Sequence, residues 1–124
     1  MPRTLIMFKP DAHERDLCGK LCDLLGDYNL KILRTRCVEK SDELTRMIQQ
    51  HYTEHIERPF YPYLVDQMPR GPVTVCECEG TVDDGRKYTE IMREKYRVNI
   101  TNNTVHASDS PESAQREIEL WFSQ

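Results

Sequence analysis

Thr4-Leu5-Ile6-Met7-Phe8, closed by Lys9-Pro10-Asp11, is a short unbroken apolar run ended by a turn signal. That is the pattern of a strand covered on both faces. Outward from it, Leu17, Leu21, Leu24 and Leu25 recur at helical spacing and predict a helix over residues 13–28, closed by Gly26 and Asn29. Residues 31–38 read as a second strand, with Ile32, Leu33, Cys37 and Val38 as its apolar positions. Ser41-Asp-Glu-Leu44 resembles a helix start and predicts a helix over 41–55, which Pro59 breaks before a shorter helical piece over 60–68. A third strand is expected over 72–78, a helix over 83–95 and a poorer strand over 98–105. Ser110-Pro111 opens the last helix, with Pro at its first helical position and Ala114, Ile118 and Trp121 as its core face.

The resulting order, β-α-β-α-(α)-β-α-β-α, predicts an α+β, ferredoxin-like αβ sandwich: a four-stranded antiparallel sheet with helices covering it on one side. With 124 residues, 38% hydrophobic and 31% charged, one folded domain over 1–124 is expected. Lys9 cuts the first apolar run, so neither a secretory leader nor a membrane span is expected. Seventeen Lys and Arg against 21 Asp and Glu give a net charge of −4, so no global basic field points to nucleic acid. Five cysteines without a leader read as reduced thiols in a cytoplasmic protein. Cys76-x-Cys78 fits buried thiols on one strand face better than zinc, whose structural sites want C-x2-C pairs. The two Asn-x-Thr sequons at Asn99 and Asn102 carry no meaning without a secretory route.

Several residues offer chemistry. Lys9 directly follows a buried strand, where a lysine is ordinarily a solvated strand end. His106 follows the fourth strand and precedes a loop into a helix start, where unsatisfied N–H groups attract anions; a histidine in a capped turn is the plainer alternative. Ser110, Ser113 and Glu117 are expected on one face of the last helix, opposite Ala114, Ile118 and Trp121. From there Glu117 could accept a hydrogen bond from one His106 nitrogen and leave the other as a nucleophile, or simply face solvent. His51-Tyr-Thr-Glu-His55 matches an H-x-x-E-H metalloprotease pattern, but the chain is short for such an enzyme. Phe60 and Leu64, after Arg58-Pro59, form one apolar face suited to core packing or to a nucleobase. Arg86, Arg93 and Arg97 suit a solvated cationic face or phosphate oxygens.

Together these segments closely resemble the nucleoside diphosphate kinase family. The carrying stretches are Arg3-Thr-Leu-Ile-Met-Phe-Lys-Pro-Asp-Ala12, His51-Tyr52 with His55, Arg58-Pro-Phe60, Gly71-Pro-Val73 and Asn103-Thr-Val-His-Ala-Ser-Asp-Ser-Pro-Glu-Ser-Ala114. The resemblance implies ping-pong transfer of a γ-phosphoryl group between nucleoside tri- and diphosphates through a phosphohistidine at His106. It implies that Glu117 orients the ring, that Ser108 supports that pair and that Tyr52 stands beside the phosphoryl path. Lys9 would meet the ribose and the transferring group, and Asn103 the ribose. His55, Arg86 and Arg93 would meet the phosphates. Phe60 and Leu64, with Ile100 near the mouth, would hold the base. Mg²⁺ would arrive on the nucleotide's phosphates rather than at a protein metal site, and the subunits would form a homo-oligomer, a dimer-based tetramer or hexamer.

Two departures stand out. Between Arg86 and Arg93 the family carries a glycine- and proline-containing loop, for which Lys87-Tyr-Thr-Glu-Ile-Met92 leaves no room; Thr89 is the only stand-in for that loop's threonine. Asn102, with Glu94, Lys95 and Arg97 nearby, replaces the family's usual residues there. The alternative is therefore a non-catalytic nucleotide-binding or scaffold relative with a shortened loop.

Overall fold

The computed structural model describes residues 1–99 and 102–123. Strand β1 (Arg3–Phe8) lies inside a four-stranded antiparallel sheet with β2 (Lys31–Val38), β3 (Val73–Glu79) and β4 (Val105–Ala107). The spatial order is β2-β3-β1-β4, so the most apolar strands, β1 and β3, take the two central places. Among the described residues six α-helices accompany them: α1 (Pro10–Glu14), α2 (Cys18–Leu24), α3 (Asp42–His51), α4 (Tyr61–Gln67), α5 (Val82–Tyr96) and α6 (Pro111–Phe122).

Period-2 alternation along β1 divides the core in two. Leu5 and Met7 face Val73, Val75, Leu44, Ile48, Leu64 and Trp121, under α3, α4 and α6. Ile6 and Phe8 face Cys76, Cys78, Leu21, Leu25, Tyr88 and Met92, under α1, α2 and α5. Both faces of the sheet are covered, which corrects the expectation of helices on one side. The apolar run of β1 already required it, since neither set of its side chains could be left in water.

Three further expectations shift. The helix expected over 13–28 is broken: Asp16 takes φ 56°, α1 ends at Glu14, α2 starts at Cys18, and a 3₁₀ turn over Leu25–Tyr28 follows. The leucine spacing survives the break, so periodicity alone could not show it. The helix over 41–55 ends at His51 and only a 3₁₀ turn covers Thr53–His55. Most consequentially, the strand expected over 98–105 is three residues long and contains His106, paired opposite Met7. The chain before it turns on itself instead, the Val98 N–H donating to the Asn102 carbonyl and the Asn102 N–H to Asn99 Oδ1.

Helix α5 runs unbroken from Val82 to Tyr96, with a capping box in which Thr81 accepts from the Asp84 N–H and Asp84 accepts from the Thr81 N–H. It leaves no loop between Arg86 and Arg93. A Cβ on Gly85 would lie 3.2 Å from Thr4 Cγ2, so a missing side chain is what lets α5 pack tightly on β1. Among the described residues no helix is long and apolar enough to cross a membrane.

Candidate active site

His106 sits on edge strand β4 and points to the same sheet face as Met7. What precedes it is held tightly: Thr104 takes φ 78°, uncommon for a β-branched residue, and Asp11 accepts from both its N–H (3.3 Å) and its hydroxyl (3.1 Å). The Lys9 N–H donates to the Thr104 carbonyl at 2.9 Å. These contacts fasten the β1–α1 turn to the start of β4, so Lys9 and His106 are brought to one place. Asp11 follows the apolar run of β1, but its fastening role carries no local sequence signal.

A cavity of about 280 Å³ opens there. Lys9, Tyr52, Arg93 and His106 line it together with His55, Phe60, Leu64, Asn103 and Asp109. A Tyr52 ring 5.6 Å from His106 and a Phe60 ring 5.9 Å from His55 give the walls an aromatic side. Arg93 reaches across from α5 and donates to the Val105 carbonyl at 2.9 Å. Asp109, unassigned by the sequence, stands at the rim, 3.3 Å from His55 Nε2. Two larger cavities flank it. One of about 560 Å³ holds Arg86, Thr89 and Arg97 and shares Arg93 and Asp109 with the first. Arg86 is thus next door to His106 rather than beside it. The other, about 780 Å³ around Pro2, Val82, Pro111 and Ile118, is lined by none of the histidines and by neither Lys9 nor Tyr52, so its volume does not make it the reaction site. Ile100 lies outside the described residues.

The electrostatics favour a neutral imidazole. Burial pushes the His106 pKa down, and the Lys9 and Arg93 cations push the same way. Burial also lowers Lys9 to about 7, with Arg93 adding to the shift and Asp11 opposing it. Tyr52 is raised by burial and stays a phenol.

Glu117 is where sequence reasoning and structure part. It does not lie opposite Trp121 on α6: Ser113, Ala114, Glu117 and Trp121 are all buried on the same side, and Ile118 is only partly covered. Its Oε1 accepts a 2.6 Å hydrogen bond from Ser108, whose own Oγ accepts from the Leu5 N–H. Its Oε2 lies 3.7 Å from His106 Nε2, ion-pair rather than hydrogen-bond distance. Helix α6 is set by Ser110, which caps it by accepting from the Ser113 N–H at 3.0 Å. Arg116 then ties it to the end of α3 through Glu54 and the carbonyls of Gln50 and His51.

The H-x-x-E-H pattern dissolves. Because α3 stops at His51, His51 and His55 do not share a helical face, and Glu54 is engaged by Ser113 and Arg116. The cysteines are free, with Cys76 and Cys78 buried side by side on one strand face and raised by burial to about 12. Asn102 accepts from Arg70 at 2.7 Å, and Arg70 also grips Glu14.

The family model for nucleoside diphosphate kinase matches residues 2–124. The chain belongs to the nucleoside diphosphate kinase family. A nucleoside diphosphate kinase of Synechococcus sp. is 37% identical over 98% of this chain and 88% of its own length; one from Archaeoglobus fulgidus is 36% identical over 99% and 87%. The Archaeoglobus match spans 135 positions, more than the chain's 124 residues, so that relative carries extra residues inside the matched span. Among solved structures, a family protein from Babesia bovis superposes with a TM-score of 0.85 at 33% identity, covering 99% of this chain and 89% of its own. The enzyme from Encephalitozoon cuniculi gives 0.88 at 29% identity, covering 100% and 90%. The family fold thus survives an α5 that passes straight from Arg86 to Arg93.

Proposed function

We propose that this chain is an active nucleoside diphosphate kinase that moves the γ-phosphoryl group of a ribo- or deoxyribonucleoside triphosphate to a diphosphate through a phosphohistidine at His106. The observation that carries this reading is a buried, neutral histidine sharing one cavity with the cations of Lys9 and Arg93.

The base enters between Phe60 and Leu64, an apolar clamp with no base-edge readout, which predicts tolerance of purines and pyrimidines. Asn103 and Lys9 meet the ribose, and His55 and Arg93 the phosphates, with Arg86 reaching from the adjoining cavity. His106 Nδ1 attacks the γ-phosphorus: the N–P bond forms, the β,γ-bridging P–O bond breaks, and its electron pair leaves with the diphosphate. Nε2 keeps its proton throughout, and the Glu117 carboxylate, held by Ser108, offsets the positive charge that gathers on the ring. Lys9, poised near neutral pH, completes its protonation as the phosphates arrive. The acceptor diphosphate then enters the vacated cavity and reverses each step, so one set of contacts serves both nucleotides.

Asp109 is the only carboxylate lining the His106 cavity among the described residues, which suits Mg²⁺ carried on the nucleotide's phosphates rather than in a protein cage. Asp109 would be available to such an ion, whose chemistry would be to neutralise phosphate charge. Five free thiols support a reducing, cytoplasmic setting. Homo-oligomerisation finds support in β2, an edge strand with Ile32 and Leu33 more than one-third exposed.

Initial rates with ATP and GDP test the reading: parallel double-reciprocal lines and GTP formation are expected. Intersecting lines would contradict the ping-pong route. Nucleotide binding without GTP formation would leave the scaffold alternative.

A further inference from the structure

His51 is the one histidine of the cluster that the phosphoryl-transfer reading leaves unused, and it is the most deeply buried. It closes α3, and its Nδ1 accepts a 3.0 Å hydrogen bond from the Trp121 indole. An indole N–H only donates, so Nδ1 carries a lone pair. Burial holds the ring neutral, lowering its pKa to about 3, and its single proton therefore sits on Nε2. That Nε2 has no hydrogen-bond partner, and it lies 3.8 Å from Glu117 Oε2.

The same carboxylate oxygen faces His106 Nε2, also unpartnered, at 3.7 Å. The two imidazoles meet edge to face, 4.7 Å between centroids. Three potential ligand atoms within 4.8 Å of one another could suggest a metal site. Trp121 argues against it, because a metal would need the Nε2 lone pair of His51, and the indole drives the proton onto that atom. The cluster is instead a carboxylate oxygen between two N–H donors, with the other oxygen held by Ser108. A carboxylate shift of under about 1 Å brings either imidazole into hydrogen-bond range.

We infer that His51 is a positioning residue for phosphoryl transfer, its Nε2–H, oriented by Trp121, steadying Glu117 Oε2 so that this oxygen meets the Nε2–H of His106. It touches neither nucleotide nor the transferred group. This inference rests on His106 being the nucleophile. It extends the orienting apparatus one residue deeper and assigns Trp121 a polar task beyond filling the core.

Two measurements test it. The first uses the unaltered protein with 15N-labelled histidine: one imidazole is expected as a neutral Nε2–H tautomer with an acceptor Nδ1 and to lose that pattern in Trp121→Phe. A His51 proton on Nδ1 would overturn the inference without any variant having to fold. The second is a double-mutant cycle. His51→Leu is expected to lower kcat about tenfold with nucleotide KM within about twofold, and His51→Gln, which keeps a distal N–H, to recover most of it. In a Glu117→Gln background His51→Leu should cost under about twofold more, because its route is already cut. An equal loss in both backgrounds, or a loss confined to KM, would overturn it. Failure of His106→Ala to abolish phosphoenzyme would instead remove the nucleophile itself, a distinct outcome.

Discussion

The two faces of strand β1 differ in kind. Beneath Ile6 and Phe8 lie Cys76, Cys78, Tyr88 and Met92, a largely apolar layer in which the Tyr88 hydroxyl donates to the Leu21 carbonyl at 2.7 Å. Beneath Leu5 and Met7, apolar packing runs into His51, Tyr52, His106, Ser108 and Glu117, all buried. Residues one apart on one strand thus serve a core that stores stability and a core that spends it. Leaving His51 and His106 Nε2 and the Lys9 ammonium in a desolvated cluster is destabilising by itself, and such arrangements persist where chemistry uses them.

The largest expected break in that comparison is His106→Ala, which should lower turnover at least about a thousandfold while the fold persists by circular dichroism. Next comes Lys9→Met, which should lower kcat by about a hundredfold and yet raise stability. The Lys9 pKa is lower folded than unfolded, so between about 7 and 10.5 the unfolded chain binds more protons and wild-type stability rises with pH. The penalty is complete below about 7. The variant should therefore melt higher at pH 6.5, by roughly 1–3 kcal/mol, and the gap should close by pH 10. A gap that widens with pH would contradict the cause assigned here.

The histidines supply a third effect with the same logic. Both His51 and His106 are lowered by burial, so as pH falls from about 6.5 towards about 3 the unfolded chain takes up protons the folded one refuses. Stability should fall across that window, and His106→Gln should flatten the fall in urea titrations. The smallest effect belongs to the other face: Tyr88→Phe removes one buried hydrogen bond and should cost about 1–2 kcal/mol with kcat unchanged. A Tyr88→Phe enzyme that loses turnover would erase the division between the faces.

Much of this was legible in the sequence because it is local. The apolar run of β1 and the Ser110-Pro111 start of α6 each announce a piece of the fold within a few residues. Phe60, Asn103 and His106 stand out because short motifs carry them, and Leu64 by its spacing from Phe60; all four line one cavity. What escaped is long-range or conformational. Asp16 breaks a helix at a left-handed residue although the leucine spacing continues through it. Helical spacing puts Glu117 opposite Trp121 because it cannot say how far the buried stripe extends, whereas Glu117 is buried on the same side as Trp121. His51 invited a metal reading from its neighbours in sequence, whereas the residue that fixes its proton is Trp121, 70 positions away.

The central claim is that His106 carries the phosphoryl group between two nucleotides that occupy the cavity in turn. Incubation with γ-labelled ATP, removal of nucleotide and proteolytic mapping tests it most directly. The account predicts one acid-labile, base-stable phosphoryl group on His106, discharged by added GDP and absent from His106→Ala. Label on another residue, or label that GDP cannot discharge, would contradict it.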